Sequence, residues 1–341
     1  MRILLVGTNK VWAIENAYLA AIKPYCEVEI FDAHGAFLDF YHKNIFRKVV
    51  HRLGLTSIIK LINQNLLLKV DAYKPTIVLV FKGMEVLPDT LKKIKNKNIL
   101  ITNYNPDHPF LHFAKGSGNK NVINSIGLYD HHFCYSHQII KEIKDNFKIS
   151  CSWLPFGYYK AIAPQINVSH QINKICFIGN PDKERVRVVN LLASKGIEVD
   201  VFGEGWEKIE SSKELNITIH KAVYQSDFNR VAQSYRVQLN IFRPHNAGSH
   251  NMRTFEMPSL GCIMLAPRSE EHLELFVEGF EAEYYDDDIE LVEKCKKLLA
   301  LNNNDAFQVG LNAYKRSIDS GYSYTDRGKQ VLKTLSSLIN P

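Results

Sequence analysis

The sequence lacks several patterns that identify large classes of protein. Its six cysteines form no Cys-x-x-Cys pair, and several lie in apolar runs such as KICFIG and LGCIML. This distribution favours reduced, mostly buried thiols over a zinc site or a redox centre. No apolar run reaches the length of a membrane span, and the apolar part of MRILLVGTNK is too short for a secretory signal. We therefore expect a cytoplasmic protein.

Two glycine-rich nucleotide motifs are also missing. The sequence contains neither G-x-G-x-x-G nor G-x-x-x-x-G-K-[ST]. A Rossmann oxidoreductase or epimerase and a P-loop kinase therefore lack their fingerprints.

The charge is nearly balanced. The chain carries 42 lysines and arginines against 36 acidic residues, a net charge of +6, and no basic run is interleaved with aromatics. This excess favours anionic ligands but is too small and dispersed to predict a nucleic-acid partner. With 45% hydrophobic residues in 341 positions, the composition is globular and allows two domains.

Strand and helix patterns alternate along both halves of the sequence. Short β-branched runs are separated by helical patterns, which is typical of βαβ units with a parallel sheet. The sequence therefore predicts an α/β protein with two Rossmann-like domains facing across a cleft. The first-half strands are predicted at 2–7, 27–33, 76–83 and 98–105, and the pattern restarts at 173.

The predicted domain limits follow from where the pattern stops and restarts. A first Rossmann-like domain covers 1–160 and a second covers 170–320, joined by a polar segment that contains Pro164. The last helical pattern, 321–341, is predicted to pack back toward the first domain.

The stretch HNAGSHNMRTFEMPSLGCIMLAP places many polar side chains directly before an apolar run. Thr254 is predicted to cap a short helix from about Phe255 that ends at Gly261. A helix start attracts anions, and the fork of Arg253 suits two phosphate oxygens. Glu256, in the first turn, can accept both hydroxyls of a ribose. The pattern predicts a nucleoside diphosphate clamp; the alternative is a capped helix whose Glu256 only satisfies its own N-terminus.

A family resemblance rests on this stretch and its neighbours. NMRTFEMPSLGCIMLAP and the following EEHLELFVEGFEAEYYDDDIELVEKCKKLL resemble the C-terminal domain of the CgeB-like, spore-maturation type glycosyltransferases. These belong to the glycosyltransferase group 1 class with the GT-B fold. ICFIGNPDKERVRVVNLL, VDVFGEGW and YSYTDRGKQVL are similar to further family segments, as are VFKG and YNPDHP in the first half.

The resemblance implies transfer of a sugar from a nucleotide-diphosphate sugar to a polysaccharide, glycolipid or other cell-envelope acceptor. It also implies that the domain 170–320 binds the donor and that the domain 1–160 lies on the acceptor side. By analogy Glu256 holds the ribose, while Arg253 and the Gly179–Asn180 loop face the diphosphate. The donor is a substrate, so neither cofactor nor metal is expected. The candidate donor-binding residues are Gly179, Asn180, Arg185, His245, Asn251, Arg253, Thr254 and Glu256.

One position departs from the retaining members of the wider class. Many of them carry two glutamates eight positions apart, and Gly248 stands where the first would be. His245, Asn246 or His250 are the candidate replacements. Retaining chemistry is therefore expected only from the class, and a non-catalytic nucleotide- or glycan-binding protein of the same fold remains the alternative.

Asp107 and His108, in NPDHP, are the candidate catalytic residues. They follow the fourth predicted strand, and the flanking prolines stiffen the backbone, which suits a positioned acid or base. The alternative is a turn in which Asp107 bonds its own backbone.

Two further patterns resemble metal-binding motifs, but we do not predict a metal site from either. YYDDDIE has an Asp-x-Asp spacing, but aspartates before a helix are expected as its N-cap. His131, His132 and His137 are expected on a strand or loop rather than as ligands.

The segment 43–69 alternates apolar and basic residues. It predicts either two core-facing helices broken at Gly54 or a basic amphipathic face. In the second case the protein contacts the inner face of a membrane that carries a lipid-linked acceptor. The apolar positions are Phe46, Val49, Val50, Leu53, Ile58, Ile59, Ile62 and Leu66, with Arg47, Lys48, Arg52 and Lys60 between them.

Overall fold

The computed structural model describes residues 1–11, 13–53, 55–111, 117–164, 171–208, 216–243 and 246–339. The chain divides into two compact units. Unit 1 is Met1–Phe156 with Tyr324–Pro341, and unit 2 is Gly157–Ser323. These limits differ by a few residues from the predicted 1–160, 170–320 and 321–341.

Unit 1 contains a parallel sheet with strand order β2-β1-β3-β4-β5-β6 in its described part. The strands are β1 Arg2–Gly7, β2 Glu27–Asp32, β3 Ile77–Phe81, β4 Leu100–Asn105, β5 His131–Cys134 and β6 Ser150–Trp153. The helices before the crossover to unit 2 are α1 Ile14–Ile22, α2 Ala33–Tyr41, α3 Ile45–Arg52, α4 Ile58–Tyr73, α5 Pro88–Lys95, α6 Lys120–Ser125 and α7 His137–Phe147.

The apolar run of β1 explains its central position in this sheet. Ile3 and Leu5 pack on one face in a cluster with Tyr18 of α1, while Leu4 and Val6 pack on the other with Leu66 of α4. A strand covered by helices on both faces needs apolar residues at consecutive positions, which is why RILLVG was recognisable.

Unit 2 repeats the architecture with strand order β12-β11-β10-β7-β8-β9, again parallel throughout its described pairs. Its strands are β7 Ile172–Ile178, β8 Val199–Phe202, β9 Ile217–His220, β10 Tyr235–Leu239, β11 Ile263–Pro267 and β12 Glu283–Tyr285. Its helices are α8 Lys183–Ser194, α9 Gln225–Ser234, α10 Arg253–Ser259, α11 Glu270–Leu275, α12 Asp288–Ala300 and α13 Asn303–Asp319. The prediction of two Rossmann-like domains is confirmed.

The last helix, α14 Tyr324–Ile339, lies in unit 1 and packs on α1. Arg327 Nε donates to the carbonyl of Phe156 at 3.1 Å, and Gln330 Nε2 donates to the carbonyl of Trp153 at 2.7 Å. A methyl group on Gly328 would come within 2.4 Å of Ala21 Cβ, so the glycine sets the approach of the two helices.

Gly328→Ala tests this packing. Alanine favours a helix over glycine by about 1 kcal/mol, but the overlap with Ala21 costs about 1–3 kcal/mol. We therefore expect a net loss in the free energy of unfolding by urea, and recovery in the Gly328→Ala/Ala21→Gly double variant. A stabilised single variant would show that α14 does not approach α1 this closely.

The segment 43–69 behaves differently in its two helices. Ile62, Leu66 and Val70 of α4 are buried, as predicted for a core-facing helix. In α3 no residue is buried, so the core-facing prediction is wrong there. Gly54, the predicted break, lies outside the described residues. No helix in the described ranges is long and apolar enough to cross a membrane.

Candidate functional site

The first loop of unit 2 follows β7 at the carboxyl edge of the sheet, where ligands bind in open parallel sheets. The amide of Gly179 donates to the carbonyl of Phe202 at 2.8 Å, and Trp206 Nε1 donates to the carbonyl of Gly179 at 2.8 Å. A methyl group on Gly203 would lie 2.3 Å from the Gly179 carbonyl oxygen. Gly179 therefore joins the loop after β7 to the loop after β8. Its amide is already hydrogen-bonded to the carbonyl of Phe202.

Asn180 contributes to the same junction. Its Oδ1 accepts from the amide of Glu204 at 3.0 Å, and its carbonyl accepts from Arg185 Nη1 at 2.9 Å. The side chain of Asn180 thus holds the second loop, and its carbonyl orients the arginine.

Arg185 lies in the first turn of α8 with its guanidinium over the ring of Phe177, 5.3 Å from the centroid. Burial is the main cause that lowers the pKa of Arg185 to about 10. The charge of Asp182 raises this pKa, whereas the charges of Arg243 and Arg253 lower it. The side chain therefore stays protonated at neutral pH.

Arg253 and Glu256 lie three positions apart on α10 and contact each other. Arg253 Nη1 forms an ion pair with Glu256 Oε2. Arg253 Nε donates to the carbonyl of Ile178 at 3.3 Å, and its Cζ lies 4.4 Å from the ring centroid of Phe228. Within the described ranges the second carboxylate oxygen of Glu256 accepts no hydrogen bond, so it remains available to a ligand.

Arg185 and Arg253 both reach the end of β7, where they donate to the carbonyls of Asn180 and Ile178. The charge of Arg243 also lowers the pKa of Arg185. Arg243 was not predicted; it comes four residues after β10, which pairs directly with β7. The only sequence signal that could have placed Arg243 at this edge was its position shortly after a strand. Guanidinium groups that converge beside a carboxylate can bind a diphosphate while the carboxylate accepts sugar hydroxyls.

Asn251 and Thr254 point into the protein beneath this cluster. Asn251 Nδ2 donates to Asn240 Oδ1 at 2.7 Å, and Thr254 Oγ1 lies 2.8 Å from His272 Nε2. His272 Nδ1 lies 2.8 Å from the carbonyl of Pro267, which can only accept. The proton is therefore on Nδ1, and the Thr254 hydroxyl donates to Nε2.

The predicted cap at Thr254 is wrong. The helix begins at Arg253, with Met252 in helical backbone geometry before it. Asn251 Oδ1 accepts from the amide of Thr254 at 3.3 Å and supplies the first-turn contact instead. Because the helix starts two residues earlier than predicted, Thr254 is fully buried, and Asn251 and Thr254 position the helix instead of facing outward.

Two of the three residues considered as replacements for the missing glutamate, His250 and Asn246, are directed elsewhere. His250 is buried, and its Nδ1 lies 2.6 Å from Glu271 Oε2, which also accepts from Ser249 Oγ at 2.5 Å. Asn246 is buried, with Nδ2 donating to the carbonyl of His250 at 2.7 Å. His245 lies outside the described residues.

The buried neutral His272 predicts a pH dependence of stability. Burial lowers the pKa of His272 to about 3, whereas the unfolded chain binds this proton near pH 6.5. The unfolded state therefore binds more protons below pH 6.5, and stability falls as pH decreases. From pH 7.5 to 5 we expect a loss of about 2 kcal/mol from this residue. Urea titrations should show a smaller loss in His272→Asn; an equal loss would contradict this.

In unit 1, Asp107 follows β4 and forms an ion pair with Lys82 at 2.5 Å. Lys82, directly after β3, has a left-handed backbone with φ of +60°, an uncommon and strained conformation for a non-glycine residue. The amide of Asp107 donates to Asn105 Oδ1 at 3.0 Å, so the predicted turn exists, with Asn105 as the acceptor. The turn presents the carboxylate to Lys82.

His108 is buried, unlike Asp107. Burial lowers the pKa of His108, so its imidazole is neutral at pH 7. Its Nδ1 lies 3.4 Å from the amide of Phe110 and accepts from it. The structure therefore separates the two predicted residues into a half-buried carboxylate and a buried neutral imidazole.

Further titratable groups lie near Lys82 and were not predicted. Glu15 is buried against the turn after β1 and accepts from the amide of Thr8 at 3.0 Å; burial raises its pKa, while His34 and Lys82 oppose that rise. His34 Nδ1 lies 2.8 Å from Glu85 Oε1. These groups are far apart in the sequence, and only the sheet order brings them to one edge.

The Asp-x-Asp pattern caps a helix, as predicted. Asp287 accepts from the amides of Ile289 and Glu290 at the start of α12. Asp286 and Asp288 form ion pairs with Arg268 and Arg187. The described part of the chain contains no group of three or more His, Cys, Asp or Glu side chains arranged to hold a metal ion.

Comparison with known proteins supports the fold and part of the function. Residues 185–333 match a family model described as glycosyl transferase-like. No curated protein sequence matches the chain. The matched region includes Arg185, Arg253 and Glu256.

Solved structures with low sequence identity share the complete fold. Anabaena HepE, solved in complex with UDP and glucose, has a TM-score of 0.65 at 12% identity, covering 99% of this chain and 100% of HepE. S. aureus MnaA, solved with UDP, has a TM-score of 0.58 at 14% identity, covering 100% and 97%. The Neisseria meningitidis UDP-GlcNAc 2-epimerase, bound to UDP-GlcNAc, has a TM-score of 0.56 at 13% identity, covering 99% and 100%. The two Rossmann-like domains are those of the GT-B fold, as predicted, and the family match supports a glycosyltransferase.

Proposed function

We propose that this protein is a glycosyltransferase of the CgeB-like type in the group 1 class. It transfers a sugar from a nucleoside diphosphate sugar, preferably a UDP-sugar, to a hydroxyl of a polysaccharide, glycolipid or other cell-envelope acceptor. The observation that carries the proposal is the position of Arg185, Arg253 and Glu256 at the carboxyl edge of a parallel sheet. Both arginines donate to carbonyls at the end of β7, and Arg253 forms an ion pair with Glu256.

The arginines and Glu256 have different roles in this reaction. The bond between the anomeric carbon and the diphosphate oxygen breaks, and negative charge develops on the leaving diphosphate. Fixed arginines stabilise that charge without reorganising, which is the larger part of catalysis in such a site. Glu256 then holds the ribose hydroxyls through its carboxylate.

We assign activation of the acceptor to Asp107. A new bond forms between the acceptor oxygen and the anomeric carbon, and the hydroxyl proton leaves to the carboxylate. Lys82 fixes the orientation of that carboxylate through the ion pair. The buried His108 stabilises the same turn by accepting from the amide of Phe110. Retention of anomeric configuration is proposed from the class alone.

A ligand panel tests the donor class. UDP, GDP, ADP, CMP and their common sugar conjugates are compared by thermal shift, because a ligand that binds only the folded state raises the melting temperature. We expect a shift with UDP and UDP-sugars that is unchanged by EDTA, since no metal is required. Loss of the shift in EDTA with recovery in Mn²⁺ would refute metal independence, and no shift with any member would refute the clamp.

A further inference from the structure

Helix α3 presents its apolar side to the solvent. The four-residue spacing from Ile45 to Val49 to Leu53 places these side chains, with Phe46, on one side of the helix. An ordinary surface helix turns such a stripe toward the core. The exposed fractions are 77% for Ile45, 68% for Phe46, 46% for Val49 and 66% for Leu53, and Leu55 follows with 73%.

The helix is held to the rest of unit 1 by its basic side. The ring of His51 lies 5.0 Å from the ring of Phe37 on α2, in an edge-on contact. Arg47 Cζ lies 4.5 Å from the ring centroid of Phe40, also on α2. Cation–π and aromatic contacts therefore fix α3 with its apolar stripe outward, in the reverse of the usual orientation.

The charge around this stripe is of one sign. Between Asp39 and Asp71 the sequence contains six lysines and arginines and no acidic residue. The formal charge of this segment, +6, is as large as the net charge of the entire chain. Lys43, Arg52 and Lys60 are exposed and form no ion pair with any residue in the described ranges. No ion pair therefore neutralises these three cations, whereas Lys69 pairs with Glu29.

We propose that this face binds the surface of an anionic lipid bilayer. The α3 face is defined as Ile45, Phe46, Val49, Leu53 and Leu55 with Lys43, Arg52 and Lys60. An amphipathic helix that combines exposed apolar side chains with cations lies in the plane of the interface, its apolar side inserted among the lipids and its cations at anionic headgroups.

The charge pattern favours this occupant over a second copy of the chain. A symmetric dimer through the α3 face would bring two sets of uncompensated cations together, which disfavours association. An anionic bilayer instead neutralises them. The inference does not depend on the proposed sugar transfer.

Co-sedimentation of the full chain with vesicles tests the proposal. We expect the protein to pellet at low salt with phosphatidylcholine vesicles that contain 30 mol% phosphatidylglycerol, a probe composition of about one-third anionic lipid, and to stay in solution with phosphatidylcholine alone. Lys43→Ser/Arg52→Ser should lower partitioning roughly fivefold for each cation removed. Phe46→Ser/Leu53→Ser should lower it at least about tenfold, since both side chains lose apolar burial.

Phe280→Ser is the matched control. Phe280 is 56% exposed, lies in unit 2 and is flanked in sequence by Glu281. It should leave partitioning unchanged, and circular dichroism should show that all variants remain folded. Absence of pelleting with anionic vesicles would overturn the proposal, as would equal pelleting by every variant. A dimer, detected by light scattering, that dissociates in Phe46→Ser/Leu53→Ser would instead assign the face to a protein interface.

Discussion

Replacing Asp107 with asparagine is expected to lower the rate of sugar transfer roughly 10²- to 10⁴-fold, the usual contribution of a positioned general base. Asparagine keeps the shape of the side chain and can still bond to Lys82, so the turn should persist. The affinity for the nucleoside diphosphate should not change, because the residues proposed to bind it lie in unit 2. The measurement is kcat together with the dissociation constant of UDP.

The control for this substitution is Asp89→Asn. Asp89 is an exposed aspartate of the same unit that pairs with Lys92 across one helical turn, and its loss should leave the rate unchanged. If Asp107→Asn transfers sugar at the normal rate, the carboxylate serves only the turn. A large loss in His108→Ala alone would then move the base to the imidazole.

Replacing Glu256 with glutamine is expected to weaken UDP binding roughly 10- to 100-fold. Charged hydrogen bonds contribute about 1.5–3 kcal/mol each, and 1.4 kcal/mol corresponds to tenfold in affinity. Uridine should lose affinity in the same proportion, since Glu256 is assigned to the ribose. Pyrophosphate should bind at least as well, because Arg253 is released from its ion pair.

Arg185→Met supplies the complementary result. It should weaken UDP and pyrophosphate together and leave uridine unaffected, because the guanidinium is assigned to the diphosphate. Glu270→Gln, an exposed glutamate in the first turn of α11, is the matched control for Glu256. Unchanged uridine and UDP affinity in Glu256→Gln, by isothermal calorimetry, would leave Glu256 as a residue of the helix N-terminus only.

The inner strands of the sheets could be predicted from sequence because they are buried on both faces. Runs such as those of β1 and β3 are continuous in apolar residues, which few surface segments are. These features depend on local sequence and therefore appear in it.

Other features depend on the order of the strands or on a small shift in helix start. Arg185 Nη2 donates to the carbonyl of Ile241, after β10, because β10 pairs with β7, although the two strands are far apart in the chain. Thr254 is buried because its helix begins two residues before the predicted position. The outward stripe of α3 depends on aromatic residues of α2, and the same apolar pattern would be found in a core helix.

The central claim is tested most directly by following UDP-glucose and UDP-GlcNAc with the protein in EDTA by NMR, with and without a cell-envelope glycan fraction as acceptor. We predict release of UDP, slow by hydrolysis alone and faster with acceptor, and a new glycosidic linkage in the product. An intact UDP-GlcNAc with inverted configuration at C2 would make the protein an epimerase. Binding of UDP without turnover under either condition would make it a nucleotide-binding protein and contradict the account.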